Sequence, residues 1–140
     1  FEIGTVSPYM LITADVRGDK LVNGGGSGAE GLAKVNEVRS VVPAITHVDN
    51  SARIQTVDSE SNRAYYEIIR AFKERTGCPV IINTSFNVRG EPIVMSPEDA
   101  YRCFMRTNID YLALGNILLD KTEQPEWPEK DDWKESIVPD

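Results

Sequence analysis

Apolar residues recur at helical spacing in the middle of the chain and predict an amphipathic helix between about residues 59 and 77. Ser59 or Ser61 can cap its start, while Gly77 and Pro79 are placed to end it. The residues expected on its apolar face are Tyr65, Ile68, Ile69 and Phe72.

A second helix is predicted to begin at Ser96-Pro-Glu-Asp99, where a serine can cap, a proline suits the first turn and acids meet the positive end of the helix dipole. Ala100, Cys103 and Phe104 should face inward. Downstream, Tyr111–Leu114 and Ile117–Asp120 read as two short strands. Gly115-Asn116 between them suits a tight hairpin turn.

Four other short runs have strand character, and the last, wholly apolar one is typical of a buried central strand. They are Tyr9–Ile12, Thr46–Val48, Arg53–Val57 and Val80–Ile82. The polar stretch from Gly18 to Ser40, with glycines at its centre, is predicted to be a mobile loop. Helices mixed with isolated and hairpin strands favour an α/β or α+β fold over a regular doubly wound sheet.

Charge is uneven along the 140 residues: the segment from Lys121 onward carries −4 of the net charge of −7. We therefore expect residues 122–140 to form an acidic tail, with Trp127 and Trp133 as docking anchors. The remainder is nearly balanced, so the global charge does not exclude a local anion site. No basic stripe with interleaved aromatics predicts a nucleic-acid partner.

Other compositional features indicate a cytoplasmic protein. No apolar run reaches the length needed to span a membrane, and no secretory signal is recognisable. Cys78 and Cys103 lie far apart in apolar stretches, so we expect two buried thiols rather than a disulfide. The chain begins at Phe1 rather than at a methionine, which suggests a segment of a longer protein.

The densest polar cluster is Asn83-Thr-Ser-Phe-Asn-Val-Arg-Gly-Glu-Pro92, directly after the apolar run at residues 80–82. Loops that leave the carboxyl ends of strands bind ligands in open α/β sheets. The planar guanidinium of Arg89 can bind phosphate through two parallel hydrogen bonds, while Asn83, Ser85 and Asn87 can donate neutral hydrogen bonds. The alternative is a polar loop that satisfies its own turns, with Arg89–Glu91 as a structural pair.

A second cluster is Thr46-His-Val-Asp-Asn-Ser-Ala-Arg53. If it is a strand, alternation places His47, Asp49 and Ser51 on one face. His47 could act as an acid, a base or a phosphate ligand, or could simply be a strand histidine bonded to Asp49. Arg53 could be an anion ligand or an ordinary solvated arginine.

Three further sites are not supported by the residues. The run Gly24–Gly28 lacks the Gly-Lys-Ser/Thr ending of a P-loop, and flexibility explains it better than a phosphate cradle. One histidine and two separated cysteines cannot form a conventional zinc site. Ser85 does not lie in a nucleophile-elbow sequence.

Three strings resemble the C-terminal region of the carbamoyltransferases, which include enzymes that carbamoylate nodulation factors, cephamycins and aminoglycosides. The resemblance runs in order from about Ser7 to Lys121, and its most specific part is the string at residues 83–92. The strings are His47-Val-Asp-Asn-Ser-Ala-Arg-Ile-Gln-Thr-Val57, Pro79-Val-Ile-Ile-Asn-Thr-Ser-Phe-Asn-Val-Arg-Gly-Glu-Pro92 and Ser96-Pro-Glu-Asp-Ala100.

The resemblance implies a YrdC-like domain over residues 1–121, a twisted mixed sheet with packed helices that is truncated at its N-terminus. Such a domain would bind ATP, with Mg²⁺, and carbamoyl phosphate to form carbamoyl-adenylate. An N-terminal domain of the same enzyme, which holds an iron site, would then pass the carbamoyl group to a hydroxyl in secondary metabolism. That domain is the expected partner, a homodimer is possible, and the segment alone is expected to be inactive.

The resemblance also gives roles to the polar side chains, since two anionic reactants need fixed donors more than a nucleophile. Arg53, Asn83 and Ser85 would be catalytic. The expected ligand-binding set is His47, Asp49, Arg53, Asn83, Thr84, Ser85, Asn87 and Arg89, and no metal ligand is expected in this segment.

Two features limit the resemblance. An Arg-Ala-Leu-Gly stretch and a Lys-x-Arg pair of the family lie upstream of this sequence, and Lys34 and Arg39 in the variable loop carry over poorly. A non-catalytic nucleotide-sensing module and a structural docking module therefore remain alternatives.

Overall fold

The chain folds as two compact units, of which the N-terminal unit comprises Phe1–Ile82 and the C-terminal unit begins at Asn83. The computed structural model describes residues 1–26 and 28–127. Helices and two small antiparallel sheets make up the regular structure, which confirms a mixed α/β class. The YrdC-like arrangement stays a prediction.

A two-stranded ribbon organises the N-terminal unit. Strand β1 (Ile12–Asp15) pairs antiparallel with β2 (Ser51–Ile54), so that Ile12 lies opposite Ile54 and Asp15 opposite Ser51. On β2, Ala52 and Ile54 are buried while Arg53 between them is exposed. The period-two alternation of a strand therefore gives the ribbon one apolar face and one polar face.

In its described residues, the long connection between β1 and β2 forms short 3₁₀ turns and no strand or α-helix. An isolated bridge between Leu21 and Ser40 closes the segment for which mobility was predicted. The mobility itself stays a prediction. The turns are Gly18–Lys20, Asn23–Gly25, Gly31–Asn36 and Pro43–Ile45.

Arg39 anchors the glycine-containing part of this connection. It is 6% exposed, pairs with Glu37, and donates to the carbonyls of Gly25 at 2.7 Å and Lys34 at 2.9 Å. A Cβ at Gly26 would lie only 2.9 Å from a nitrogen of Arg39. The absence of a side chain there lets the backbone close around a buried ion pair.

Helix α1 (Arg63–Thr76) ends at Gly77, whose φ of 76° is left-handed, as predicted. Its N-cap is Asn62, which accepts from the Tyr65 amide, rather than Ser59 or Ser61. Ser61 is unsuited to that position because its hydroxyl donates to Asp58. No residue of α1 is fully buried, so its apolar face is left largely open.

In the C-terminal unit, α2 (Pro97–Arg106), β3 (Tyr111–Leu114) and β4 (Ile117–Asp120) confirm the predicted helix and hairpin. Ser96 and Asp99 form a complete capping box at the start of α2. The inward-facing residues of α2, Ala100, Cys103 and Phe104, are buried as expected. Ala100 and Phe104 pack with Leu112 into the core of this unit.

Lys121 ties the end of the hairpin back to α2. Its ammonium donates to the carbonyls of Phe104 and Thr107 and lies 4.2 Å from the centre of the Phe104 ring. Burial lowers the pKa of Lys121. A cation here satisfies carbonyls at the negative end of the helix and adds a cation–π contact.

Two predicted strands are absent among the described residues, and two others are displaced. Tyr9–Ile12 contributes only Ile12 to β1, and Arg53–Val57 overlaps β2 only at residues 53 and 54. Thr46–Val48 belongs to a turn. Val80–Ile82 is irregular, and Ile82 is 59% exposed, so the prediction of a buried central strand is wrong here.

Cysteine and tryptophan predictions have mixed outcomes. Both thiols are free, but only Cys103 is buried, since Cys78 is half-buried. Trp127 docks edge-on against Tyr101 with ring centres 5.9 Å apart, in keeping with an anchoring role. Trp133 and most of the expected tail lie outside the described residues.

Candidate functional site

Residues 47–51 form a tight turn that leads into β2. The His47 amide donates to the Ser51 carbonyl at 2.7 Å, and the Asn50 amide donates to the His47 carbonyl at 3.0 Å. Asn50 has a φ of 66°, a left-handed conformation that asparagine tolerates better than most residues. This turn is found where a strand was predicted, and its backbone hydrogen bonds hold the His47 backbone in place.

Side chains within this turn form a hydrogen-bonded chain. Ser51 Oγ lies 3.0 Å from His47 Nδ1 and donates to Asp49 Oδ1 at 2.7 Å. The Ser51 amide also donates to Asp49 Oδ1, at 3.0 Å. The hydrogen bonds from the Ser51 side chain and backbone hold the pKa of the Asp49 carboxyl below its usual range. The expected histidine–aspartate contact therefore runs through a serine.

Arg53 shares the polar face of the ribbon with this turn. Ser51 and Arg53 are two residues apart on β2, and their cross-strand partners are Asp15 and Thr13. Arg53 is exposed, and its side chain makes no hydrogen bond or ion pair with another described residue. The structure thus links His47 and Asp49 through Ser51, and places Arg53 two residues further along the same face of β2, where its exposed guanidinium is available to an anion. We call these three residues with Ser51 the ribbon site.

The polar cluster predicted at residues 83–92 is part of a closed loop in the C-terminal unit. Val94 donates to the Phe86 carbonyl at 3.0 Å, and both side chains pack against the core of that unit. Asn87 Nδ2 donates to the carbonyls of Glu91 at 2.8 Å and Val88 at 3.2 Å. The amide of Asn87 is therefore used to hold the loop, which favours a structural role for this predicted ligand.

Arg89 projects from the tip of the same loop beside Gly90, whose φ is 86°. The alternative of a structural Arg89–Glu91 pair is wrong, because Glu91 pairs with Arg106 at 2.7 Å. Arg89 is exposed and makes no side-chain hydrogen bond within the described ranges. Like Arg53, it is an exposed cation without a side-chain partner in the described part of the chain.

Asn83, Thr84 and Ser85 precede this loop as an exposed, irregular stretch. No strand carries them among the described residues, since the run before them is irregular. The predicted ligands thus divide between the ribbon site in one unit and the residues from Asn83 to Arg89 in the other.

The glycine-containing segment has a structural explanation. A Cβ at Gly25 would lie 2.3 Å from Asn50 Nδ2, so this glycine packs directly against the turn of the ribbon site. Gly26 closes around the Arg39–Glu37 pair as described above. These contacts account for both glycines without a phosphate, and they connect the segment to the turn that presents His47.

Sequence reasoning missed Ser51 as a functional residue, although the Asp49-Asn-Ser51 string is a turn signal in which a carboxylate receives the amide two residues on. No cluster of three or more potential metal ligands occurs among residues 1–26 and 28–127. No described helix is both long and apolar enough to cross a bilayer.

Comparison with known proteins identifies the family. A family model described as carbamoyltransferase C-terminus matches residues 1–121. The chain belongs to this family. An uncharacterised protein of Synechocystis is 55% identical over 139 residues, covering 98% of this chain and 23% of that protein.

Two relatives with informative names also match. Nodulation protein NolNO of Sinorhizobium fredii is 49% identical over 89 residues, which are 63% of this chain and 13% of that protein. A 3'-hydroxymethylcephem-O-carbamoyltransferase of Amycolatopsis lactamdurans is 32% identical over 80 residues, which are 57% and 15% respectively. The carbamoyltransferase C-terminal chain thus spans less than a quarter of each of these relatives.

Proposed function

We propose that this carbamoyltransferase C-terminal chain binds carbamoyl phosphate and ATP and supports formation of carbamoyl-adenylate. Transfer to a hydroxyl acceptor would take place in another part of a longer enzyme. The observation that carries the proposal is Arg53, an exposed arginine without a side-chain partner among residues 1–26 and 28–127, on the same ribbon face as the fixed His47 turn. Family membership supplies the chemistry that such a cation would serve.

The proposed reaction brings together two anions. Water cleaves carbamoyl phosphate to carbamate and phosphate, with the proton released to solvent. A carbamate oxygen then forms a bond to the α-phosphorus of ATP, and the bond from that phosphorus to the bridging oxygen breaks to release pyrophosphate. Both steps need charge neutralisation and alignment of the reactants, which fixed donors provide.

Arg53 is assigned to an anionic oxygen of the reactants, and Arg89 is a second candidate for the same task in the C-terminal unit. Asn83, Thr84 and Ser85 are exposed and can donate neutral hydrogen bonds to phosphate oxygens. Mg²⁺ would enter with the nucleotide, because phosphates and water supply most ligands of this ion at nucleotide sites.

The first experiment measures carbamoyl-phosphate-dependent pyrophosphate release by the full-length enzyme that carries this sequence. A charge-assisted hydrogen bond is worth about 1.5–3 kcal/mol, so Arg53→Ala should lower the rate roughly ten- to a hundredfold. Arg53→Lys should recover part of the loss, since it restores the charge without the planar fork.

Arg70→Ala is the matched control. Arg70 is an exposed arginine in the same unit, but it is committed to Glu67 and Glu74 on α1. Its removal takes away the same charge and should leave pyrophosphate release unchanged. Full turnover by Arg53→Ala would refute the assignment, and equal losses in both variants would point to net charge instead of a site.

A docking role has one observation in its favour, the open apolar face of α1, on which Ile68 is 58% exposed and Phe72 39% exposed. It is distinguished by the same variants. If Arg53→Ala unfolded the chain instead of lowering turnover, the ribbon would be structural and the docking role would be the better account.

A further inference from the structure

The hydrogen bonds at Ser51 can be assigned a direction by counting protons. A serine hydroxyl has one proton, and the 2.7 Å contact commits it to Asp49 Oδ1. Asp49 is an acceptor only, because the same hydrogen bonds from Ser51 keep its carboxyl ionised. The hydroxyl therefore has only lone pairs to offer its other neighbour.

That other neighbour is His47 Nδ1, at 3.0 Å. Since Ser51 Oγ can only accept there, Nδ1 must carry the proton. In a neutral imidazole the second nitrogen, Nε2, is then an acceptor. Nε2 makes no hydrogen bond with another described residue, and His47 is exposed.

We infer that Ser51 is a positioning residue, which holds neutral His47 as the Nδ1–H tautomer and leaves Nε2 as a fixed acceptor at the ribbon site. Ser51 is suited to this task because it is only 7% exposed and is held by the backbone of β2. The backbone hydrogen bond from His47 to Ser51 fixes the distance between the two residues independently of their side chains.

A fixed acceptor selects for a donor on the ligand, and here the inference rests on the proposed function. In carbamoyl phosphate the dianionic phosphate and the carbonyl only accept, so the amino group is the donor. Nε2 would accept a hydrogen bond from that amino group, while the Arg53 guanidinium donates to an anionic oxygen. Acetyl phosphate, which has a methyl group in the same place, offers no donor to this nitrogen.

The tautomer can be measured without any ligand because the chain contains a single histidine. In ¹⁵N spectra of the imidazole above its titration range, Nδ1 should resonate as a protonated nitrogen and Nε2 as an unprotonated one. Asp49→Ala should shift the population towards the Nε2–H form, since Ser51 is then free to donate to Nδ1. Asp49 makes no hydrogen bond to the imidazole ring. If Ser51 had only a structural role, replacing Asp49 would therefore leave the tautomer unchanged.

Asp15→Ala is the matched control. Asp15 lies across the ribbon from Ser51, and its carboxylate makes no hydrogen bond to a described side chain, so its loss should leave the tautomer as it is. Ser51→Ala should also lower the population of the Nδ1–H form. Ser51→Thr retains the hydroxyl and should keep that population at the wild-type level. A dominant Nε2–H form in the wild-type chain, or a tautomer indifferent to Asp49→Ala, would overturn the inference.

The ligand half of the inference is tested in the full-length enzyme with acetyl phosphate as a competitor. His47→Ala should reduce the preference for carbamoyl over acetyl phosphate by about three- to tenfold, the range of one neutral hydrogen bond. An unchanged preference would refute the amino-group assignment. Wild-type pyrophosphate release in the same assay reports on the proposed function separately, so the two failures are distinguishable.

Discussion

At position 25 a glycine is required both by its backbone torsion and by its neighbour. Its φ is 95°, and a Cβ there would overlap the Asn50 side chain, whereas a Cβ at Gly24, with a φ of 69°, would meet nothing within 4 Å. Gly24→Ala should therefore cost about 1 kcal/mol from backbone strain. Gly25→Ala should cost about 1–3 kcal/mol more from overpacking.

Urea unfolding of the two variants checks this prediction, with Gly24→Ala as the control for strain alone. Equal losses of unfolding free energy would mean that Asn50 can move aside at no cost. A second readout is the imidazole spectrum of His47, because Asn50 belongs to the turn that presents it. Gly25→Ala should disturb that spectrum and Gly24→Ala should not.

Single residues also show the limit of prediction from sequence at the ribbon site. Alternation placed His47 and Asp49 on a strand, and their proximity was anticipated for the wrong reason. The turn depends on the left-handed torsion of Asn50 and on the carboxylate of Asp49 accepting from Ser51. Both are local turn signals, but the alternating pattern outweighed them in the sequence interpretation.

Among the elements, α2 offers a pH-dependent test of its capping box. The hydrogen bond with the Ser96 side chain, the largest contribution, holds the pKa of the Asp99 carboxyl below its usual value of about 3.9. A carboxyl whose pKa is lower in the folded chain stabilises it above the unfolded-state pKa, and this contribution is lost as the pH falls through the folded-state value.

At pH 6 to 7 the wild-type chain should have a larger unfolding free energy than Asp99→Asn. This difference in unfolding free energy should disappear as the pH falls below about 4. Denaturant unfolding across that range measures it. Glu98→Gln is the control, because Glu98 lies in the same turn but makes no side-chain hydrogen bond within the described chain. A gap independent of pH would contradict the assignment.

Elements were predicted well where their determinants are local. The start of α2 and the β3–β4 hairpin rest on a capping serine and a Gly115-Asn116 turn, which lie within a few residues of the structure they specify. The strand prediction at Val80–Ile82 was wrong because a strand forms only beside a pairing strand, which the composition of the segment itself does not provide. Its apolar character therefore predicted burial that does not occur among the described residues.

For the whole molecule, several large apolar side chains are exposed, and the homodimer considered possible from the sequence stays a prediction. Leu11 and Val6 in the N-terminal unit are more than four-fifths exposed, as is Met95 in the C-terminal unit. Apolar surface on this scale favours association. We expect the 140-residue chain to self-associate as its concentration rises, which sedimentation velocity can measure.

Ile68→Ser on α1 should weaken that association, because Ile68 is 58% exposed on the open helix face. It should leave unfolding free energy within about 0.5 kcal/mol of wild type, as for most surface substitutions. Lys73→Ser, at a polar position of the same helix, is the control. A monomer at every concentration would contradict the prediction.

Lys121 has a consequence for the order of events during synthesis. The ribosome synthesises a chain from its N-terminus at about 5–20 residues per second. The last turn of α2 is therefore synthesised before Lys121, whose ammonium satisfies its carbonyls. Lys121 follows Thr107 by 14 positions, a delay of roughly one to three seconds. A chain halted in this interval would hold a helix whose last carbonyls lack the ammonium that satisfies them.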